Sequence, residues 1–195
     1  MRRRGFLSTF GASVVGVTVA GKATAAPATT VAEPGAPAQV ALTVNGQRHR
    51  VAVEPRWTLL YVLREKIGVT GAKAGCERGE CGACTVLIDG VARYACLTLA
   101  VEADGREITT VEGLLHGEQL GPVQHAFVEE DGLQCGYCTS GQVMAAEALL
   151  RKTPNPGIDE IRQGMSGNLC RCGAYSHIFK AVQRAAELKT KEGVS

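Results

Sequence analysis

Between residues 40 and 111 the apolar positions fall in short runs closed by turn residues, a pattern that predicts a small sheet. Val40-Ala41-Leu42-Thr43-Val44 reads as a strand, Asn45-Gly46 as a tight hairpin turn, and Arg48 to Val53 as the returning strand. Pro55 breaks the pattern, and Thr58 is placed to cap a helix that carries Leu59, Leu60, Val62, Leu63 and Ile67. A second hairpin follows, from Thr85 to Ile88, through Asp89-Gly90, to Val91 and Tyr94; a last strand lies near Glu107 to Val111. Two hairpins around one helix make a small α+β unit.

Past residue 115 the period changes to that of helices. Pro122 to Glu130, Gly141 to Lys152, Ile158 to Met165 and Ser176 to Leu188 all have helical spacing, and Thr153-Pro154-Asn155-Pro156-Gly157 separates the middle two. Four helices in about seventy residues predict a compact bundle.

The N-terminal stretch follows neither period. Residues 1–25 open with Arg2, Arg3 and Arg4, continue in a mild apolar run from Phe6 to Ala20, and end in Ala23-Thr24-Ala25, a small-x-small cleavage pattern. Arg3-Arg4-Gly5-Phe6-Leu7 resembles the twin-arginine export signal, and Gly11, Ser13, Gly16 and Thr18 dilute the run as that pathway tolerates. A run this short and mixed falls below the ~20 residues a spanning helix needs. The expected organisation is therefore a signal peptide over 1–25, a linker over 26–38, the sheet domain over 39–115, the helical domain over 116–190 and a tail over 191–195. The expected location is the periplasm, without stable membrane insertion.

The chain has 195 residues, of which 45% are hydrophobic and 21% charged, an ordinary globular composition. The formal net charge of +2 is local in origin: four of the 21 basic residues lie in the first 25 positions, where no acidic residue stands. What remains has 17 basic against 19 acidic residues, no surplus to follow a phosphate backbone, and nucleic-acid binding is not expected.

Eight cysteines change the picture most, because they form two sets of four. Cys76, Cys81 and Cys84 lie in GAKAGCERGECGACTV, with Cys96 beyond, the C-x4-C-x2-C…C spacing of a plant-type [2Fe–2S] centre. Gly75, Gly79 and Gly82 would let the loop wrap such a centre and bring N–H groups to its sulfurs. Zinc sites favour paired CxxC units, and disulfides need no glycine between the thiols. Cys135, Cys138, Cys170 and Cys172 make the looser spacing C-x2-C…C-x-C. A thioredoxin-type dithiol lacks its βαβ context here. On the residues alone, zinc and a second iron–sulfur centre both remain open.

With GAKAGCERGECGACTV, QCGYCTSG and SGNLCRCGAY in view, the chain resembles the iron–sulfur subunits of the molybdenum hydroxylases, the xanthine oxidase and aldehyde oxidoreductase family, over residues 39–188. Among them it is similar to the exported, multi-subunit aldehyde oxidoreductases. The resemblance implies a β-grasp, plant-type ferredoxin-like domain followed by a four-helix [2Fe–2S]-binding domain. It implies that Cys76, Cys81, Cys84 and Cys96 hold one cluster. Cys135, Cys138, Cys170 and Cys172 would hold a second, nearer molybdenum. It also places Gln134 and Cys138 beside a molybdopterin cytosine dinucleotide held by a large partner subunit, with an FAD-binding medium subunit as a further partner. Ser140 departs from a proline common in the family, and Gly173-Ala174 from Thr-Gly; neither change removes a ligand. Thr139 could cap the following helix.

No catalytic triad, phosphate loop or dinucleotide fingerprint is present, so the chemistry expected of this chain is electron transfer from molybdenum to FAD or another acceptor. Aldehyde oxidation is the expected reaction of the complex, with N-heterocycle hydroxylation, as of isoquinoline, the alternative. A free-standing carrier is the rival, against which the helical half argues, and a zinc or disulfide scaffold is the third reading. Export of an already folded protein suits thiolates loaded with iron before they meet an oxidising compartment. His49, His116, His125 and His177 form no ligand set in the sequence, and Trp57 reads as a packing residue. Tyr175 and His177 are candidates to shield the second cluster, and Arg171 to offset its charge.

Overall fold

Asn45 and Gly46 both take the left-handed backbone (φ 50° and 77°), which turns β1 (Ala38–Val44) tightly back into β2 (Gln47–Val53). The Asn45 side chain also reaches Thr110, accepting its N–H and donating to its hydroxyl, each at 2.9 Å. That contact ends β5 (Glu107–Thr109), so the last strand is shorter than expected and a 3₁₀ turn begins at Val111. With β3 (Thr85–Ile88) and β4 (Val91–Tyr94), the sheet runs β2-β1-β5-β3-β4. Only β1 and β5 pair in parallel among these strands.

The coordinates are a computed structural model that describes residues 36–193. The expected signal peptide and most of the expected linker lie outside those residues. β1 begins at Ala38, inside the stretch expected to be linker.

The helix after Pro55 starts as expected and then departs from it. The Thr58 hydroxyl accepts the Tyr61 N–H at 3.2 Å and caps α1 (Leu59–Tyr61). From Val62 to Ile67 the chain widens into a π-helix that ends at Gly68, φ 85°. Leu59, Leu60, Val62 and Leu63 stay buried against Val40, Leu42, Val53 and Ile108 of the sheet. Trp57 is half-buried at the edge of this core, its ring 4.9 Å from that of Tyr61.

The helical half comprises α2 (Pro122–Glu129), α3 (Thr139–Lys152), α4 (Ile158–Met165) and α5 (Tyr175–Glu192). α5 thus runs into the residues expected to be a tail. α3 packs on α2, α4 and α5 and also on β3 and β4. Leu87 of β3 is buried in the same core as Phe127, Met144, Ile161 and Ile178. Thr139 does not cap α3: Cys138 holds that position in the αR conformation, and Thr139 is the first residue inside. Among the described residues no helix is long and apolar enough to cross a membrane.

Candidate metal centre

The first cysteine loop is pinned where it begins. Arg64 donates through Nη1 to the carbonyls of Thr70 and Ala72, each at 2.9 Å, and the Gly71 N–H donates to Glu112 Oε1 at 2.6 Å. Beyond, Gly79 and Gly82 adopt φ of 78° and 70°, angles strained for any other residue, so the chain can fold the three thiols inward. A Cβ at Gly75 would stand 2.9 Å from Cys81 Sγ, closer than real Cβ atoms come. The glycines therefore make room for sulfur. Cys84 and Cys96 are buried, while Cys76 and Cys81 are partly exposed.

The four thiols are gathered together: Cys81 acts on the Cys76 thiol, and both Cys96 and Cys81 act on that of Cys84. Backbone N–H groups of Arg78, Glu80 and Cys81 draw the Cys76 thiol down to about 6, burial acting against them; the Glu80 N–H lies 3.3 Å from its sulfur. Burial pushes Cys84 up to about 12, with Cys96 and Cys81 adding to it. Negative charge is thus welcomed at the rim and resisted inside unless a cation compensates it.

The second set repeats this arrangement at the ends of α3 and α5. Cys172 and Cys170 act on the Cys135 thiol, and Cys170 and Cys135 on that of Cys138. Burial pushes Cys138 up to about 12, and its neighbours Cys170 and Cys135 add to the shift. The Tyr137 N–H and the Cys172 thiol hold Cys135 below the usual thiol range. Cys170 is buried, Cys138 partly exposed, and Cys135 and Cys172 lie on the surface. Tyr175 accepts the Cys170 N–H at 2.9 Å and so touches the ligand loop, whereas His177 meets the Glu130 carbonyl at 3.0 Å. Arg171 and Gln134 are exposed.

Among the described residues no three His, Cys, Asp or Glu side chains are arranged to hold a single metal ion. Four thiols gathered at each place would supply the four thiolates that a centre of two irons needs. The residues present fit a [2Fe–2S] group at both places.

The two loops abut, and this was not expected. The Leu169 N–H donates to the Cys81 carbonyl at 2.9 Å. Asn168, buried, donates through Nδ2 to the Gly82 carbonyl at 2.9 Å and to Thr85 Oγ1 at 3.2 Å, while its own carbonyl accepts from Gln142 at 2.9 Å. Tyr94 donates to the Gly167 carbonyl at 2.7 Å. Gly141 at the start of α3 lies so close that a Cβ there would collide with the Gly82 carbonyl. Asn168 and Gly141 stand in the diagnostic segments, but nothing in their spacing announces their partners.

Two family models match the chain: a 2Fe-2S iron-sulfur cluster binding domain over residues 42–112, and a [2Fe-2S] binding domain over 110–183. The aldehyde oxidoreductase iron-sulfur-binding subunit PaoA of Escherichia coli K12 is 48% identical over 165 residues, 76% of this chain and 72% of that one. One of the nicotinate dehydrogenase subunits of Pseudomonas putida KT2440 is 49% identical over 152 residues, 78% of this chain and 97% of that one.

The chain belongs to the iron–sulfur subunits of the molybdenum hydroxylases.

Solved structures of such enzymes agree in fold. A chain of quinoline 2-oxidoreductase from Pseudomonas putida 86 matches with a TM-score of 0.77 at 46% identity, over 82% of this chain and 99% of that one. The aldehyde oxidoreductase of Desulfovibrio gigas matches with a TM-score of 0.75 at 39% identity, over 80% of this chain but 17% of that much longer one. As a molybdenum hydroxylase small subunit, the protein is an electron-transfer component of a multi-subunit oxidoreductase that includes a molybdopterin subunit.

Proposed function

We propose that the chain is the electron relay of an exported, molybdenum-dependent aldehyde oxidoreductase. Cys76, Cys81, Cys84 and Cys96 hold one [2Fe–2S] centre, and Cys135, Cys138, Cys170 and Cys172 hold the second. When bound, each centre takes up and passes on one electron. The observation that carries this reading is the meeting of the two ligand loops through the 2.9 Å bond from the Leu169 N–H to the Cys81 carbonyl. It joins a residue of the first set to the neighbour of Cys170.

Exposed apolar side chains support a direction for the relay. Within three positions of the exposed Cys135 and Cys172 along the chain stand the large, exposed apolar side chains Leu133, Tyr137, Leu169 and Tyr175. Such a cluster suits burial against another protein. We assign this face to the molybdopterin-bearing subunit, with Gln134 and Cys138 nearest a molybdopterin cytosine dinucleotide, and the opposite end to an FAD-binding subunit.

Aldehyde oxidation draws support from the likeness to PaoA. Nicotinate dehydrogenase and quinoline 2-oxidoreductase, similar at 49% and 46% identity, support a second reading, hydroxylation of an N-heterocycle. Export to the periplasm rests on Arg3-Arg4-Gly5-Phe6-Leu7 and Ala23-Thr24-Ala25.

The test is native purification through a C-terminal tag, with the gene expressed beside its genomic neighbours, and assay for iron, molybdenum and flavin. Molybdenum co-eluting with a large chain, at about four irons per copy of this one, is expected. The same eluate, offered aldehydes and N-heterocycles, identifies the substrate class. Iron without molybdenum would favour a free carrier, and zinc in place of iron would end the relay reading. Replacing Arg3 and Arg4 by lysine should retain the complex in the cytoplasm.

A further inference from the structure

The Tyr137 hydroxyl donates to the Ala74 carbonyl at 2.6 Å. Tyr137 stands between Cys135 and Cys138 of the second loop, and Ala74 stands two residues before Cys76 of the first. Its ring carbon Cε1 is 3.9 Å from the place a Cβ on Gly75 would occupy. The side chain thus leaves one ligand loop, lies along the other and ends in a bond to it.

The rest of the seam reaches a different limb of the first loop. Leu169, Asn168 and Gly141 engage Cys81, Gly82 and Thr85, all on the C-terminal side. Among the described residues, the Tyr137 bond is the one hydrogen bond that ties residues 71–80 to the helical half. In the chain by itself Tyr137 is 51% exposed, and a hydroxyl so near water would normally find its partner there. Here it bonds across the loops instead.

We propose that Tyr137 is a positioning residue for the relay: it latches the Ala74–Cys76 limb to the second ligand loop and so fixes the separation of the two centres. The proposal rests on the reading that both thiol sets hold [2Fe–2S] groups. Losing one neutral hydrogen bond shifts the balance between latched and open loops about fivefold. The ring would still cover Gly75, so the loops would stay folded while their spacing became less uniform.

The experiment is Tyr137→Phe in the intact multi-subunit complex, compared with wild type. Iron content, the spectra of the two reduced centres, the magnetic splitting between them and iron loss to a chelator are measured. The variant is expected to keep about four irons and both spectra, to show a weakened or broadened splitting, and to lose iron about fivefold faster. A variant equal to wild type in both splitting and iron loss overturns the latch alone. A wild-type complex without two [2Fe–2S] spectra overturns the functional reading and this inference with it.

Discussion

Leu169 and Cys81 share a backbone hydrogen bond of 2.9 Å, N–H to carbonyl, that crosses from the helical half of the chain to the sheet half. Leu169→Pro removes the donor and strands a carbonyl beside the first thiol set. The expected cost is about 1–3 kcal/mol in urea unfolding. In rapid-freeze experiments on the complex, the first centre should also be reduced more slowly by substrate. Leu169→Ala keeps the N–H, and the isolated chain should unfold like wild type.

Gly141→Ala is expected to harm the protein although alanine is the better helix former by about 1 kcal/mol. Gly141 faces the Gly82 carbonyl and the backbone of Ala83, and neither can move without moving Cys81 or Cys84. Overpacking of this kind costs roughly 1–3 kcal/mol. Purified Gly141→Ala should have a lower unfolding midpoint and less iron per chain.

Glu147 is nearly buried and receives Arg151 at 2.8 Å and Lys189 at 3.0 Å. Burial opposes its ionisation, but the two cations outweigh that and hold its carboxyl below the usual range. The folded state therefore binds this proton less readily than the unfolded state. The resulting stability is full above the ordinary value of 4.5 and is lost as pH falls through the lower, folded value. Glu147→Gln should flatten the acid limb of a stability–pH curve. Lys189→Met should cost about 2 kcal/mol, less than a fully orphaned charge, because Arg151 remains.

The iron-free chain should show a fixed order of thiol reactivity. With Cys76 drawn to about 6, it is mostly thiolate at neutral pH, whereas Cys84 and Cys138, pushed up to about 12, stay protonated. Brief alkylation at pH 7, read by peptide mass spectrometry, should label Cys76 and spare Cys84 and Cys138. Lowering the pH through 6 should protect Cys76.

The elements that were legible in the sequence are those set by neighbours along the chain. Asn45-Gly46 demands a hairpin, Thr58 supplies a cap, and Pro154 and Pro156 separate α3 from α4, each on local backbone chemistry. The close spacing of Cys76, Cys81 and Cys84 was legible for the same reason, whereas Cys170 and Cys172 come to Cys135 and Cys138 only through the fold. The π-helix over Val62–Ile67 was not, because its apolar positions fit either winding. Nor was the parallel pairing of β1 with β5, nor the reach of Tyr137 to Ala74 or of Asn168 to Gly82, since each depends on distant segments meeting. Thr139 misled because a capping residue type stood one position inside the helix, where Cys138 already held the end.

α3 touches β3 and β4 on one side and the other three helices on the remaining sides, and Leu87 is buried in the core it organises. The two halves are therefore not interchangeable modules. Excising the sheet half to obtain a miniature ferredoxin would bare Leu87 and strip Gly82 and Thr85 of the Asn168 side chain.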